Sequence, residues 1–186
     1  MRPILAGGRA AMAVLILFLA ACAARAADLT AFVGGVKPGS LSISGLKTSL
    51  DSSPVFGLRL SGNFIPMLGH EHTLGFSSDY LYPRSTRAIR EAKGFVYSSN
   101  LIVNVPARGV IPYLTGGVGI IHQYGDDDLP IGTKFAVNYG GGLRIPRMFG
   151  PLGLRFDARG YTAMGLFSGK LNMLEVSAGL LISFGN

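Results

Sequence analysis

The sequence predicts an all-β chain, an eight-stranded antiparallel up-and-down transmembrane β-barrel. Three observations lead there. Of the 186 residues 48% are hydrophobic, yet beyond the N-terminal leader no apolar run approaches the ~18 residues that a spanning helix needs. The hydrophobicity is instead dispersed in alternation, most cleanly in the last stretch, Leu171–Phe184. There Leu174, Val176, Ala178, Leu180, Ile182 and Phe184 fall on one face, and Glu175, Ser177, Gly179, Leu181 and Ser183 on the other. Finally, 27 glycines suit tight turns and a crowded interior.

The leader comes first. Arg2 and Arg9 form a positive n-region, Ala10–Ala21 an apolar segment too short to span a bilayer, and Ala24-Arg25-Ala26 an A-x-A cleavage site. Residues 1–26 therefore read as a signal peptide and 27–186 as one outer-membrane barrel domain. Leu19-Ala20-Ala21-Cys22 offers a second reading, a lipobox that would leave Cys22 lipidated; cleavage after Ala26 is favoured because its site is well formed. Cleavage there removes the single cysteine, so strand pairing and packing must hold the fold. Losing Arg2, Arg9 and Arg25 also lowers the formal charge from +7 to +4, which removes most support for nucleic-acid binding.

Eight strands follow in order. Asp28–Val36 is the first and least regular, and the Gly/Ser/Pro-rich stretch Lys37–Ser53 reads as a loop. Val55–Phe64 alternates with Arg59 on the polar face, and Pro66–His72 reads as a short turn. Thr73–Tyr82, with Asp79 inward, is followed by a basic loop carrying Arg84, Arg87, Arg90 and Lys93. Phe95–Val105, Pro112–His122 and Lys134–Ile145 come next, then Leu154–Thr162 and the closing strand. Long polar connections alternate with short proline-bearing ones, which places both termini on the periplasmic side with four loops outside.

Charges decide which face looks inward. Arg59, Asp79, Arg144, Arg155, Asp157, Arg159 and Glu175 share the less apolar face. Facing lipid at mid-depth, each arginine would cost about 2–4 kcal/mol. Enclosed together they can pair. Glu175 is expected to meet Arg155 and Arg159 of the neighbouring strand. An interior only wide enough for its own side chains, crossed by such pairs, should be plugged. Aromatics of the opposite face, including Phe64, Tyr80, Tyr82, Phe95, Tyr97, Phe135, Tyr139 and Phe184, cluster toward strand ends as girdles do.

No chemical constellation stands out. His70-Glu71-His72 lacks the H-E-x-x-H spacing and reads as a solvated turn, and Asp126-Asp127-Asp128 lacks the spacing of a calcium loop. His122, the one barrel-wall histidine in this reading, has no serine or acid within two residues. The expectation is therefore no catalytic residue, no metal and no cofactor.

The segments P-Y-L-T-G-G-V-G-I (Pro112–Ile120), F-A-V-N-Y-G-G-G-L-R (Phe135–Arg144), L-R-F-D-A-R-G-Y (Leu154–Tyr161) and the closing strand resemble the small outer-membrane β-barrel domain family, which is similar to the OmpA-like eight-stranded transmembrane barrel. The resemblance implies that Phe184, here followed by Gly185-Asn186, is the aromatic assembly signal read by the barrel-assembly machinery. It carries no catalytic signature. The expected function is a monomeric integral outer-membrane protein with a structural or surface-interaction role, in contact with outer-membrane lipid and lipopolysaccharide. A narrow small-solute channel, a lipid-modifying enzyme and a soluble lipocalin-like barrel are the alternatives.

Overall fold

The computed structural model describes residues 27–39, 41–43, 46–48, 52–78, 92–125, 132–166 and 169–184. The leader, Asp79, Tyr80, Tyr82, Asp126–Asp128 and most of the basic loop lie outside them. Strands β1 (Ala27–Pro38), β4 (Ser53–Ile65), β5 (Leu68–Ser77), β6 (Ala92–Asn104), β7 (Ile111–Gly125), β8 (Thr133–Phe149), β9 (Leu152–Leu166) and β10 (Gly169–Phe184) form one closed antiparallel barrel. Each strand pairs with its chain neighbour, and β1 closes the ring against β10 from Ala27↔Phe184 to Pro38↔Met173. Irregular though its sequence is, β1 is therefore hydrogen-bonded along its whole length. A lipid-embedded sheet requires this, since an open edge would leave backbone groups unsatisfied.

Three stretches differ from the sequence reading. The turn expected at Pro66–His72 contracts to Pro66 and Met67, and His70-Glu71-His72 belong to β5. Extending the β5 alternation backwards places Glu71 inward and both histidines outward, a pattern hidden by reading three polar residues as a turn. Second, the stretch after β1 is not wholly loop, because β2 (Leu41–Ile43) and β3 (Leu46–Thr48) pair as a small hairpin beyond the barrel rim. Third, β8 runs past Ile145 to Phe149, with a register shift that leaves Arg147 at φ 55°.

The outer face is an apolar belt. Val33, Phe56, Leu114, Tyr139, Val176, Leu180 and Phe184 are each more than half exposed. A continuous belt of this kind is what a lipid surround demands and what a soluble protein would hide. Exposed Phe64, Phe149 and Phe184 lie toward the end bearing the termini and short turns; Phe56, Phe76 and Tyr124 lie toward the other, the loop end.

Inward side chains divide the lumen by depth. Toward the loop end Phe32, Val36, Val55, Val96, Ile121, Ala136, Ala163, Leu171 and Met173 pack into one apolar cluster with Tyr161. Below it the interior is mainly polar and charged, with Ile102 and Leu181 buried among the polar groups. The sequence reading expected a polar lumen and did not anticipate this apolar layer. Inward apolar positions of β1, β6, β7 and β10 escaped it because a strand apolar on both faces shows no alternation.

Candidate functional site: the charged lumen

The polar half is organised around β9. Arg155, Asp157 and Arg159 alternate inward, so one strand presents two guanidiniums flanking a carboxylate. Asp157 accepts from Arg155 Nε at 3.0 Å and from Arg159 Nη2 at 2.8 Å. Both arginines also reach across the lumen to Glu71 of β5. Arg159 Nη2 donates to Glu71 Oε1 at 2.6 Å. Arg155 Nη1 lies 2.6 Å from Glu71 Oε2, an ion-pair distance without hydrogen-bond angles.

Arg59 of β4 completes the layer. Its guanidinium donates to Asp157 at 3.1 Å and to Ser177 at 3.1 Å, pairs with Glu175, and sits over the Phe32 ring at 3.7 Å. Arg59, Glu71, Arg155 and Arg159 are fully buried. Charges so enclosed persist only when paired and hydrogen-bonded on several sides, as these are. Two tyrosines act as struts. The Tyr113 hydroxyl donates to Asp157 and accepts from Arg155 Nη2 at 2.7 Å; the Tyr161 hydroxyl donates to Glu175 at 2.9 Å.

The structure brings Arg59, Arg155, Asp157, Arg159 and Glu175 into this one network. Arg144 stands apart, nearer the terminal end, bonded to Asp28 at 3.1 Å and to Asn104. Asp79 lies outside the described residues. One expected pairing is corrected: Glu175 takes Arg59 and Tyr161, not Arg155 or Arg159. In so narrow a barrel the opposite wall is as close to a guanidinium tip as the next strand. Asp157 and Glu71 therefore capture the β9 arginines first. Glu71, Asp28, Tyr113 and Tyr161 were not anticipated as members; continuing the β5 alternation through Glu71 would have found the most important of them.

Gly142 shows how closely the network is fitted. A Cβ there would lie 2.2 Å from the Phe156 carbonyl oxygen on the neighbouring strand and 2.5 Å from the Tyr113 hydroxyl. Gly142→Val should push back the neighbouring β9 backbone, displace Tyr113 from Asp157 and Arg155, and cost at least about 1–3 kcal/mol as an overpacking defect. A lowered urea midpoint for the detergent-refolded barrel would show it; an unchanged one would refute it.

Histidines occupy the outer wall. His72 Nδ1 lies 3.1 Å from the Tyr97 hydroxyl, and His70 stacks on Phe64 with centroids 4.9 Å apart. His122 is thus not alone on the wall, which corrects the sequence reading. At the loop end His122 Nδ1 is 2.6 Å from Thr133 Oγ1, a hydroxyl contact supplied by the next strand. Among the described residues no carboxylate is hydrogen-bonded to His122, and no group of three or more potential metal ligands occurs.

A closed eight-strand ring, an apolar outer belt and an ion-paired interior together decide the class. The fold is that of an outer-membrane barrel. Solved structures agree. Neisserial surface protein A aligns with a TM-score of 0.62 at 17% identity, over 86% of this chain and 99% of that one. The outer membrane protein OprG from Pseudomonas aeruginosa aligns with a TM-score of 0.57 at 13% identity, over 88% and 97%. The outer membrane enzyme PagL aligns with a TM-score of 0.51 at 16% identity, over 83% and 98%. No protein-family model matches the sequence, and no curated protein matches it. At these identities the likeness is one of fold, which an enzyme shares with other outer-membrane proteins.

Proposed function

We propose that the chain is an integral outer-membrane protein whose role is structural or surface-interactive, with a lumen that does not conduct solutes. The observation that carries this reading is the double seal: an apolar cluster at the loop end above a fully buried arginine–carboxylate layer. A conducting route would have to break several buried ion pairs and part the apolar layer at once. The side chains thus invest their polar chemistry in closing the barrel, which leaves the four loops as the variable surface. In this reading the termini and short turns face the periplasm, the loops contact lipopolysaccharide, and the barrel works as a monomer.

The His122–Thr133 contact favours a second reading, a lipid-modifying enzyme, because a hydroxyl beside an imidazole is the beginning of a nucleophile–base pair. It lacks the third group that would orient the imidazole among the described residues. The non-catalytic reading is therefore preferred, and lipid A of unchanged mass on expression of the protein would uphold it.

Planar-bilayer recording of the refolded protein tests the seal directly. No discrete conductance is expected, and reproducible unitary openings would overturn the proposal. In cells the protein should fractionate with the outer membrane and migrate heat-modifiably on gels. Phe184, half exposed at the end of β10, is proposed as the assembly signal. Phe184→Ala should reduce the heat-modifiable fraction in that same fractionation, and an unaltered fraction would remove the assignment.

A further inference from the structure

High on the outer wall toward the loop end, where β8, β9 and β10 meet β1, lies an open groove of about 530 Å³. Ala158 and Gly160 form its floor, and Tyr139, Leu174 and Pro38 stand along its sides. Strand pairing explains the hollow. Gly160 lies between Tyr139 of β8 and Leu174 of β10, and Leu174 in turn lies opposite Lys37 of β1. The Tyr139 ring leans over Gly160, where an added Cβ would come within 2.7 Å of it. Small floor residues between larger flanking ones leave a channel that a slender chain can enter closely.

The two ends of this strip differ in polarity. At the loop end Lys37 and Asn172 line the groove, both exposed on the outward face. Thr162 Oγ1 donates to Asn172 Oδ1 at 2.9 Å, which leaves the amide Nδ2 as a second donor at this end. No carboxylate lines the groove. One outward step below Ala158, the paired Phe156 and Ala178 border a second groove of about 420 Å³ lined wholly by apolar residues.

We infer that this strip of wall holds one acyl lipid with a phosphate headgroup. The phosphate lies at Lys37 and Asn172, and one acyl chain runs over Gly160 and Ala158 toward Phe156. An ammonium at headgroup level, with no acid lining the groove beside it, favours an anionic lipid. The apolar hollow beneath it adds buried contact that a free, hydrated phosphate would not gain. The inference rests on the proposed function in one respect, that the loop end lies in a membrane leaflet. It adds a contact on the wall to those of the loops.

The test uses the refolded barrel in phosphatidylcholine nanodiscs. Phosphatidic acid replaces phosphatidylcholine stepwise at constant total lipid and ionic strength, while the backbone amide signals of Lys37, Gly160 and Asn172 are followed by NMR. These signals should shift saturably, and those around Tyr124, elsewhere on the loop-end rim, should not. Lys37→Gln should weaken the response about tenfold, the loss of one charge-assisted contact, and Lys37→Arg should keep it. Ala158→Leu, on the exposed face and therefore harmless to the lumen, should fill the channel and weaken it as well. Equal shifts around Tyr124 would mean a general surface potential and overturn the site. An equal response to inorganic phosphate, or unchanged affinity in Lys37→Gln or Ala158→Leu, would overturn it too. Shifts that follow protein concentration without phosphatidic acid would assign the groove to a second copy and do the same. A barrel that refolds and stays silent in planar bilayers, yet shows no such preference, loses the site and keeps the proposed role.

Discussion

Glu71→Leu is expected to cost about 3–5 kcal/mol, the cost of stranding buried charge, and to rank among the most damaging single changes in the lumen. Glu71 is fully buried and is the acid that Arg155 and Arg159 share across the barrel. Without it Asp157, which already pairs with Arg59, is the one anionic partner left to the two guanidiniums among the described residues. Three cations would then share two carboxylates, Asp157 and Glu175, in a medium where each unpaired charge is costly. The expected readout is a large drop in the urea midpoint of the refolded barrel, with loss of the heat-modifiable band at moderate denaturant.

A double variant sharpens the test. Glu71→Leu with Arg155→Leu removes one charge of each sign, leaves Asp157 with Arg59 and Arg159, and keeps the Tyr113–Asp157 hydrogen bond. Exchanging an ion pair for apolar groups costs far less than breaking one. The double variant should therefore be more stable than Glu71→Leu alone, by a coupling on the order of 1–3 kcal/mol. A double variant less stable than the single one would mean that the network does not act as paired charges.

The contrast between Glu71 and β9 shows what a sequence can and cannot disclose. In β9, Arg155, Asp157 and Arg159 alternate with outward residues such as Phe156 and Ala158, and a charge triplet with period two has one reasonable destination, the inside of a closed barrel. Glu71 obeys the same period but sits between two histidines just after a proline, where local composition resembles a turn. The strand is recognisable only from its partners: β5 pairs with β4 from Leu68↔Ile65 to Phe76↔Phe56. Pairings across the lumen are still less legible. Nothing local tells Arg59 to choose Asp157 and Glu175, residues about a hundred positions away, because that choice depends on barrel closure and shear. The apolar cluster at the loop end was hidden for the opposite reason: Val55, Val96 and Ile121 face inward beside outward apolar neighbours such as Phe56, Phe95 and Ile120, so alternation is silent there.

The outer face yields the second large effect. Val176 is 57% exposed near the middle of β10, and its cross-strand partners Gly35 and Ala158 cover little of it. In a lipid surround Val176→Arg should cost about 2–4 kcal/mol, the depth-dependent cost of an arginine at the hydrocarbon midplane. Leu174→Arg, at the loop-side edge of the lipid-facing run Leu174–Phe184 and therefore closer to the interface, should cost less although its native side chain is similarly exposed. The depth gradient is the informative part. In a soluble barrel both substitutions would place a charge in water, with effects within roughly ±0.5 kcal/mol and no dependence on depth. Urea titration of each variant in phospholipid vesicles, compared with the unmodified barrel, separates the two cases. A Val176→Arg variant as stable as the parent would exclude the membrane-spanning reading, whatever the fold resembles, because the apolar belt would then be facing something other than lipid.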